Sequence, residues 1–168
     1  MQLDVLQESV ISLLNRATQH GTCIIITNAE TGWVELSCKK FMPKVLPCLQ
    51  KIRVLSARSN FESLYPDSPS DWKVHAFSQE LNAVYTNKHA NHKRNIISFG
   101  DSIHERAAIH KVTANMGQHT RTKSIKFVER PTLEQLKRQV DLVTNCFEEI
   151  ARHNGSLDLM LTIQLLYN

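Results

Sequence analysis

Residues Ile96 to Glu105 read Ile-Ile-Ser-Phe-Gly-Asp-Ser-Ile-His-Glu, a short apolar run that stops at Gly100 and continues into a helix-like segment. An apolar run bounded in this way is typical of a strand that is buried on both faces of a parallel sheet. Such a strand delivers Asp101 and Glu105 to a loop that opens a helix. Carboxylates held on rigid elements suit Mg²⁺, so we expect Asp101 and Glu105 to be metal ligands.

The same alternation of strand and helix recurs along the chain. Further strands are predicted at 23–27, 52–56 and 124–128, and helices are predicted at 3–20, 32–41, 44–51, 70–87, 103–114 and 132–153. Alternating strands and helices favour right-handed crossovers and parallel strand pairing. We therefore expect one α/β domain over residues 1–168, with a three-layer, Rossmann-like architecture in which helices cover both faces of a mostly parallel sheet.

Length, composition and charge indicate how many domains the chain forms and which kinds of partner it binds. The chain has 168 residues, 42% of them apolar, which is enough for one core. Its formal charge of +4 permits phosphate-bearing ligands. The lysines and arginines are scattered and no aromatic platform accompanies them, so nucleic acid is not an expected partner. No apolar window reaches the roughly 18 residues of a membrane span, and we expect no membrane partner.

The four cysteines favour a reducing compartment. They occur at positions 23, 38, 48 and 146, without a close Cys-x-x-Cys pair. Three of them fall in segments predicted to be buried. We expect reduced core thiols, no zinc site and a cytoplasmic protein.

A second polar pair ends the first predicted strand. Thr27 and Asn28 follow the apolar run 23–26, and a helix begins a few residues later. A hydroxyl and an amide beside a helix N-terminus could bind a phosphoryl oxygen; alternatively, Asn28 or Thr31 only caps the next helix. Because ligands of parallel sheets collect at the carboxyl ends of the strands, we expect Thr27 to lie near Asp101.

Taken together, Thr27-Asn28 and Gly100-Asp101-Ser102-Ile103-His104-Glu105 resemble motifs of the haloacid-dehalogenase-like (HAD-like) phosphohydrolase superfamily. The resemblance implies that Thr27 and Asn28 contact a phosphoryl group and that Asp101 and Glu105 hold Mg²⁺. Glu105 stands where the family usually has Asp. The family also uses a lysine that balances the phosphoryl charge, for which Lys73 is the first candidate and Lys93 the second. The implied partner is a phosphorylated small molecule or protein.

The chain departs from this family in one respect. HAD-like enzymes use an aspartate nucleophile in an Asp-x-Asp motif on a central first strand, and no such segment precedes Thr27. We therefore expect an incomplete phosphohydrolase site, inactive alone or active on a phosphate ester when the missing strand is supplied. The strands at 23–27 and 95–100 should then pair directly, or another segment should fill the gap. The apolar tail, 157–167, of this chain or of a partner in a homodimer is a candidate.

Other interpretations stay open. The domain could be a non-catalytic module that binds a protein or an anion. Gly100-Asp101-Ser102 also resembles the first block of GDSL-type esterases, although no Asp-x-x-His follows, so Ser102 is expected to cap a helix. Arg58, after a strand, could reach an anionic substrate or lie on the surface. His89 and His92 could form a metal pair or belong to a solvated loop.

Overall fold

The computed structural model describes residues 2–87 and 92–168, so His89 of the predicted histidine pair lies outside the described residues. Within them, α-helices alternate with strands. The helices are α1 (Gln2–His20), α2 (Trp33–Phe41), α3 (Leu46–Leu49), α4 (Ala57–Phe61), α5 (Pro69–Tyr85), α6 (Ile103–Thr113) and α7 (Leu133–Arg152). The strands are β1 (Ile24–Thr27), β2 (Arg53–Ser56), β3 (Arg94–Gly100), β4 (Thr120–Lys126) and β5 (Leu157–Met160). Two short 3-10 turns span Pro43–Val45 and Gln164–Tyr167.

All hydrogen-bonded strand pairs are parallel. β1 lies beside β2, with Ile24 opposite Arg53. β4 lies between β3 and β5, so that Lys123 has Ile97 on one side and Leu157 on the other. The predicted α/β fold with parallel strands is confirmed.

Helices cover both faces of the strands in three layers. Neighbouring residues of a strand point to opposite faces. Ile25 packs with residues of α1 and α2, whereas Ile26 packs against α5. Ile96 likewise joins a cluster with α5 and α6, whereas Ile97 joins one with α7. One face is therefore covered by α1, α2 and α7, and the other by α4, α5 and α6.

The sheet differs from the expectation in being split. β1 and β2 form one sheet, and β3, β4 and β5 form a second. Among the described residues, β1 and β3 do not hydrogen-bond to each other, so the expected direct pairing of these two strands is not seen. Nor does the tail of this chain fill the gap. It forms β5 at the far edge of β4, where Leu157 and Leu161 pack against the cluster of Ile125 and Ile150.

The structure differs from the predicted elements at α3, β4 and α4. The helix predicted at 44–51 is instead a 3-10 turn, Pro43–Val45, followed by the short α3, Leu46–Leu49. β4 begins at Thr120 instead of residue 124, because residues 120–123 are polar and give no apolar signal. They are tolerated inside since their groups find partners: Lys123, with no exposed surface, donates to the carbonyl of Ala151 at 2.8 Å. The short helix α4 was not predicted. It begins because the Ser56 hydroxyl accepts a hydrogen bond from the backbone amide of Ser59.

All four cysteines are free thiols, and Cys38 is buried. None of the helices that the structure describes combines the length and the apolarity needed to cross a bilayer.

Candidate functional site

A cleft of about 400 Å³ lies where β1 and β3 end. Its walls are formed by residues 26–29, by residues 99–102, and by Lys73 and Glu105. The structure thus brings Thr27, Asn28, Lys73, Asp101 and Glu105 to one cleft, although their chemical roles stay predictions. Lys93, the second lysine candidate, does not line it.

Lys73 connects the two walls of the cleft. It projects from α5 with only 3% of its surface exposed. Its Nζ donates to the carbonyl oxygen of Ile26 at 3.1 Å and lies 2.9 Å from Oε1 of Glu105. A buried ammonium is tolerated only when it is paired with a charge and hydrogen-bonded, and both conditions are met here. Lys73 therefore joins the end of β1 to the first turn of α6.

Glu105 is held in place by the start of its own helix. Its Oε2 accepts hydrogen bonds from the backbone amide of Ser102 at 3.0 Å and from the Ser102 hydroxyl at 2.5 Å. The same hydroxyl accepts from the amide of His104 at 3.1 Å, so Ser102 caps α6 as predicted. Burial raises the pKa of Glu105, whereas hydrogen bonds from Ser102 and Lys73 lower it. Together the hydrogen bonds outweigh burial, so the pKa lies below its ordinary value. Glu105 is therefore held as a carboxylate.

Gly100 makes this arrangement sterically possible. A Cβ atom at position 100 would lie 2.6 Å from Cγ and 2.7 Å from Cβ of Glu105. Any side chain would therefore force Glu105 away from its position beside Lys73. The requirement for glycine here comes from close approach, because the backbone of Gly100 is extended as part of β3.

The end of β1 offers a donor and an acceptor. The Thr27 hydroxyl accepts a hydrogen bond from the amide of Ala29 at 3.0 Å, which leaves its own hydrogen to donate to a ligand. Asn28 donates from Nδ2 to the carbonyl of Pro69 at 3.2 Å, and its buried Oδ1 has no partner among the described residues. The alternative in which Asn28 or Thr31 only caps the next helix is wrong, because α2 begins after Gly32 without a side-chain cap.

The predicted metal ligands, Asp101 and Glu105, differ in the oxygen atoms that they leave unbound. Asp101 is exposed and forms no ion pair with any residue that the structure describes. Both oxygens of Glu105 are already bound, so Asp101 is the better placed ligand. Within residues 2–87 and 92–168, no group of three or more His, Cys, Asp or Glu side chains could hold a metal ion. Mg²⁺ commonly binds one or two carboxylates plus substrate phosphate and water, and Asp101 fits that arrangement.

The other candidates lie elsewhere or have other partners. Arg58 belongs to α4 and pairs with Glu62 at 3.0 Å, outside the cleft lining. The Ser102 hydroxyl is bonded to a carboxylate instead of a histidine, which gives no support to the esterase interpretation. The ion pair between Lys73 and Glu105 was not foreseen. The Ser-x-x-Glu pattern at 102–105, which is typical of a capping box, is a sequence signal that could have placed the Glu105 side chain.

Comparison with known proteins adds no assignment. No protein-family model, no curated protein sequence and no solved structure matches the chain at a significant level.

Proposed function

We propose that this chain is a HAD-like domain whose cleft binds a phosphoryl group together with Mg²⁺, and that its phosphohydrolase site is incomplete. One observation carries the proposal. The buried ammonium of Lys73 joins the end of β1 to Glu105, while the exposed carboxylate of Asp101 faces the same cleft. A lysine, a hydroxyl-amide pair and a strand-end aspartate around one cleft are the parts that the family resemblance implies.

The charges of the cleft explain why a cation is needed. Its ionisable lining residues are one ammonium, on Lys73, and two carboxylates, on Asp101 and Glu105. The cleft therefore carries one net negative charge, and the ammonium is already neutralised by Glu105. A phosphate dianion alone would meet repulsion from Asp101. Asp101 would hold Mg²⁺, which would supply charge neutralisation, and the Thr27 hydroxyl would donate a hydrogen bond to the phosphoryl group.

The missing function is nucleophilic attack. Residues 1–26 contain no Asp-x-Asp segment, and both oxygens of Glu105 accept hydrogen bonds or pair with Lys73. A covalent route through an aspartyl phosphate needs a further carboxylate at the phosphorus. The chain alone is expected to bind without turnover, and a strand that supplies such a carboxylate would permit hydrolysis of a phosphate ester.

A second candidate function uses the same cleft without chemistry. This candidate is a module that binds a protein or an anionic ligand. It is favoured by the ion pair between Lys73 and Glu105, because such a pair can also stabilise the fold without taking part in a reaction. The two candidates differ in their need for Mg²⁺. Only the phosphoryl site requires Asp101 as a ligand of the cation.

The test is a titration of the ¹⁵N-labelled chain with MgCl₂ and inorganic phosphate, followed by NMR. We expect phosphate to shift the amide signals of residues 27–29 and 100–102 only when Mg²⁺ is present, and Asp101→Asn to abolish the shifts. Asp141→Asn is the matched control, since Asp141 pairs with Lys137 on α7, away from the cleft. Absence of Mg²⁺-dependent phosphate binding by a folded sample would overturn the proposal.

Activity is measured on the same samples with para-nitrophenyl phosphate and Mg²⁺. We expect no turnover by the chain alone. Turnover that Asp101→Asn abolishes would show that the site is complete, and our proposal of an incomplete site would then be wrong.

A further inference from the structure

We propose that Ser70 and His104 act as a nucleophile and a general base that hydrolyse a small, uncharged ester. The two residues lie on the first turns of α5 and α6. Neither of them belongs to the lining of the phosphoryl cleft. The proposal therefore does not depend on whether that cleft binds phosphate or Mg²⁺.

The two side chains lie within hydrogen-bonding distance of each other. Oγ of Ser70 is 2.6 Å from Nδ1 of His104. When the imidazole ring carries its hydrogen on Nε2, Nδ1 accepts the hydrogen of the Ser70 hydroxyl. A serine and a histidine separated by about 2.6–3.2 Å have the geometry in which a base activates a hydroxyl nucleophile. Ser70 is exposed and His104 is partly exposed, so an ester can reach both from solvent.

Neighbouring contacts hold the pair in place. Lys73 lies three positions after Ser70 on α5, and residues at this spacing share one face of a helix. Lys73 pairs with Glu105, the residue after His104, so the same two helix turns are joined twice. The backbone amide of His104 is also fixed, because it donates to Oγ of Ser102 at 3.1 Å. The nucleophile and the base are therefore carried by rigid elements, as catalysis requires.

The start of α5 provides donors for an oxyanion. The first N–H groups of a helix have no partner within the helix. The Ser68 hydroxyl, which could cap α5, donates instead to the carboxylate of Asp71 at 2.6 Å. The amides of Ser70 and Asp71 consequently form no hydrogen bond with any residue that the structure describes. Serine hydrolases stabilise the tetrahedral oxyanion with the amide of the nucleophile or of the residue after it, and both are available here.

The proposed reaction is the hydrolysis of an ester by way of an acyl-serine. Oγ of Ser70 attacks the carbonyl carbon, a C–O bond forms, and the hydroxyl hydrogen passes to Nδ1 of His104. The oxyanion collapses, the bond to the alcohol oxygen breaks, and that oxygen takes the hydrogen from His104. Water then attacks the acyl-serine with His104 as base, which releases a carboxylic acid and restores Ser70.

Charge and exposure indicate the class of substrate. The carboxylate of Asp71 follows the nucleophile, and the exposed carboxylate of Asp101 lies three positions before His104. Both disfavour an anionic ester. Because Ser70 lies at the surface, a short acyl group suits the site better than a long one that needs an enclosing pocket. Among the described residues Nε2 of His104 has no hydrogen-bond partner, so we expect slower turnover than a complete triad supports.

The direct test is the labelling of the full chain with a fluorophosphonate probe, read by mass spectrometry of its peptides. Attack by Ser70 forms an O–P bond, breaks the P–F bond and releases fluoride, while the hydroxyl hydrogen passes to His104. We expect one label per chain, at Ser70. Labelling of His104→Gln should be at least about tenfold slower, because a general base typically contributes about 10²–10⁴-fold. Ser78→Ala is the matched control, since Ser78 lies on the same helix but accepts from Asn82, and it should label like wild type.

Hydrolysis of p-nitrophenyl acetate is measured on the same samples, and circular dichroism checks that each variant is folded. We expect Ser70→Ala and His104→Gln each to lose at least about tenfold in the enzymatic rate. EDTA is present and phosphate is absent, so the result is separate from the test of the phosphoryl cleft. The proposal is overturned if the folded wild-type chain is not labelled at Ser70 while a serine protease in the same mixture is labelled. It is also overturned if Ser70→Ala hydrolyses the ester as fast as wild type.

Discussion

Glu105→Gln separates the charge of the central ion pair from its shape. Glutamine keeps the length of the side chain, and its amide oxygen can still accept from Ser102. It removes the negative charge 2.9 Å from the Nζ of Lys73, which is 3% exposed. The lysine then keeps a single uncharged acceptor, the carbonyl of Ile26 at 3.1 Å. The substitution therefore leaves a buried cation without a counter-charge.

The burial of this ion pair sets the loss in free energy of unfolding that we expect for Glu105→Gln. Removing one partner of a buried ion pair destabilises a protein by about 3–5 kcal/mol. The Glu105 side chain is 16% exposed, and water reaches the pair on that side, so we expect about 3 kcal/mol, the lower end of that range. Glu134→Gln is the control: Glu134 pairs with Arg138 on the exposed face of α7 and should cost about 0.3–0.5 kcal/mol.

The assay is urea unfolding at pH 7, followed by far-ultraviolet circular dichroism. Adding Lys73→Met to Glu105→Gln removes the buried cation that the single variant leaves unpaired, and should recover about 2 kcal/mol of the free energy of unfolding. A loss below about 1 kcal/mol for Glu105→Gln, or a double variant no more stable than the single one, would refute the claim that this pair is buried and coupled.

The same variant has a defined pH dependence. The pKa of Glu105 is lowered in the folded state from its ordinary value of 4.5. Its contribution to the free energy of unfolding is therefore complete above pH 4.5 and is lost as pH falls through the folded pKa. Unfolding measured across the acid range should show the stability gap between wild type and Glu105→Gln narrowing as pH falls; a gap that stays constant would contradict the shift.

Three further substitutions test other parts of the fold by the same unfolding assay. Gly100→Ala should destabilise by about 1–3 kcal/mol, because its Cβ would meet Glu105 at 2.6 Å; a neutral result would show that the two are further apart. Lys123→Met should change the free energy of unfolding by less than about 1 kcal/mol. Burial disfavours the charge of Lys123, and the carbonyl of Ala151 still accepts a hydrogen bond from Asn95. Thr132→Ala should cost about 1 kcal/mol through loss of the α7 cap, and a neutral result would argue against that cap.

Much of the fold could be predicted from the sequence, because the signals were local. The periodicity of α1 and α7 and the apolar runs of β1 and β3 placed these elements within a residue or two of their positions. The cap at Ser102 was visible as a polar residue before a helix-like segment. The meeting of Thr27 and Asp101 at one cleft followed from a general property of parallel sheets.

The remainder depended on contacts between distant residues. The polar start of β4 is held by neighbours on both sides and by the bond from Lys123 to Ala151, which no local pattern encodes. From the sequence, the apolar tail could lie between β1 and β3 or at the outer edge of the sheet. It lies at the outer edge, beside β4, where it packs against Ile125 and Ile150. Lys73 and Glu105 lie 32 positions apart in the sequence, and their ion pair joins α5 to α6.

The most direct test of the central claim is isothermal titration of the chain with inorganic phosphate, with and without Mg²⁺, for wild type and Asp101→Asn. The account predicts binding of one phosphate per chain by the wild type in the presence of Mg²⁺ and none without it, and no binding by Asp101→Asn in either condition. Binding that is equal with and without Mg²⁺, or that survives Asp101→Asn, would contradict it.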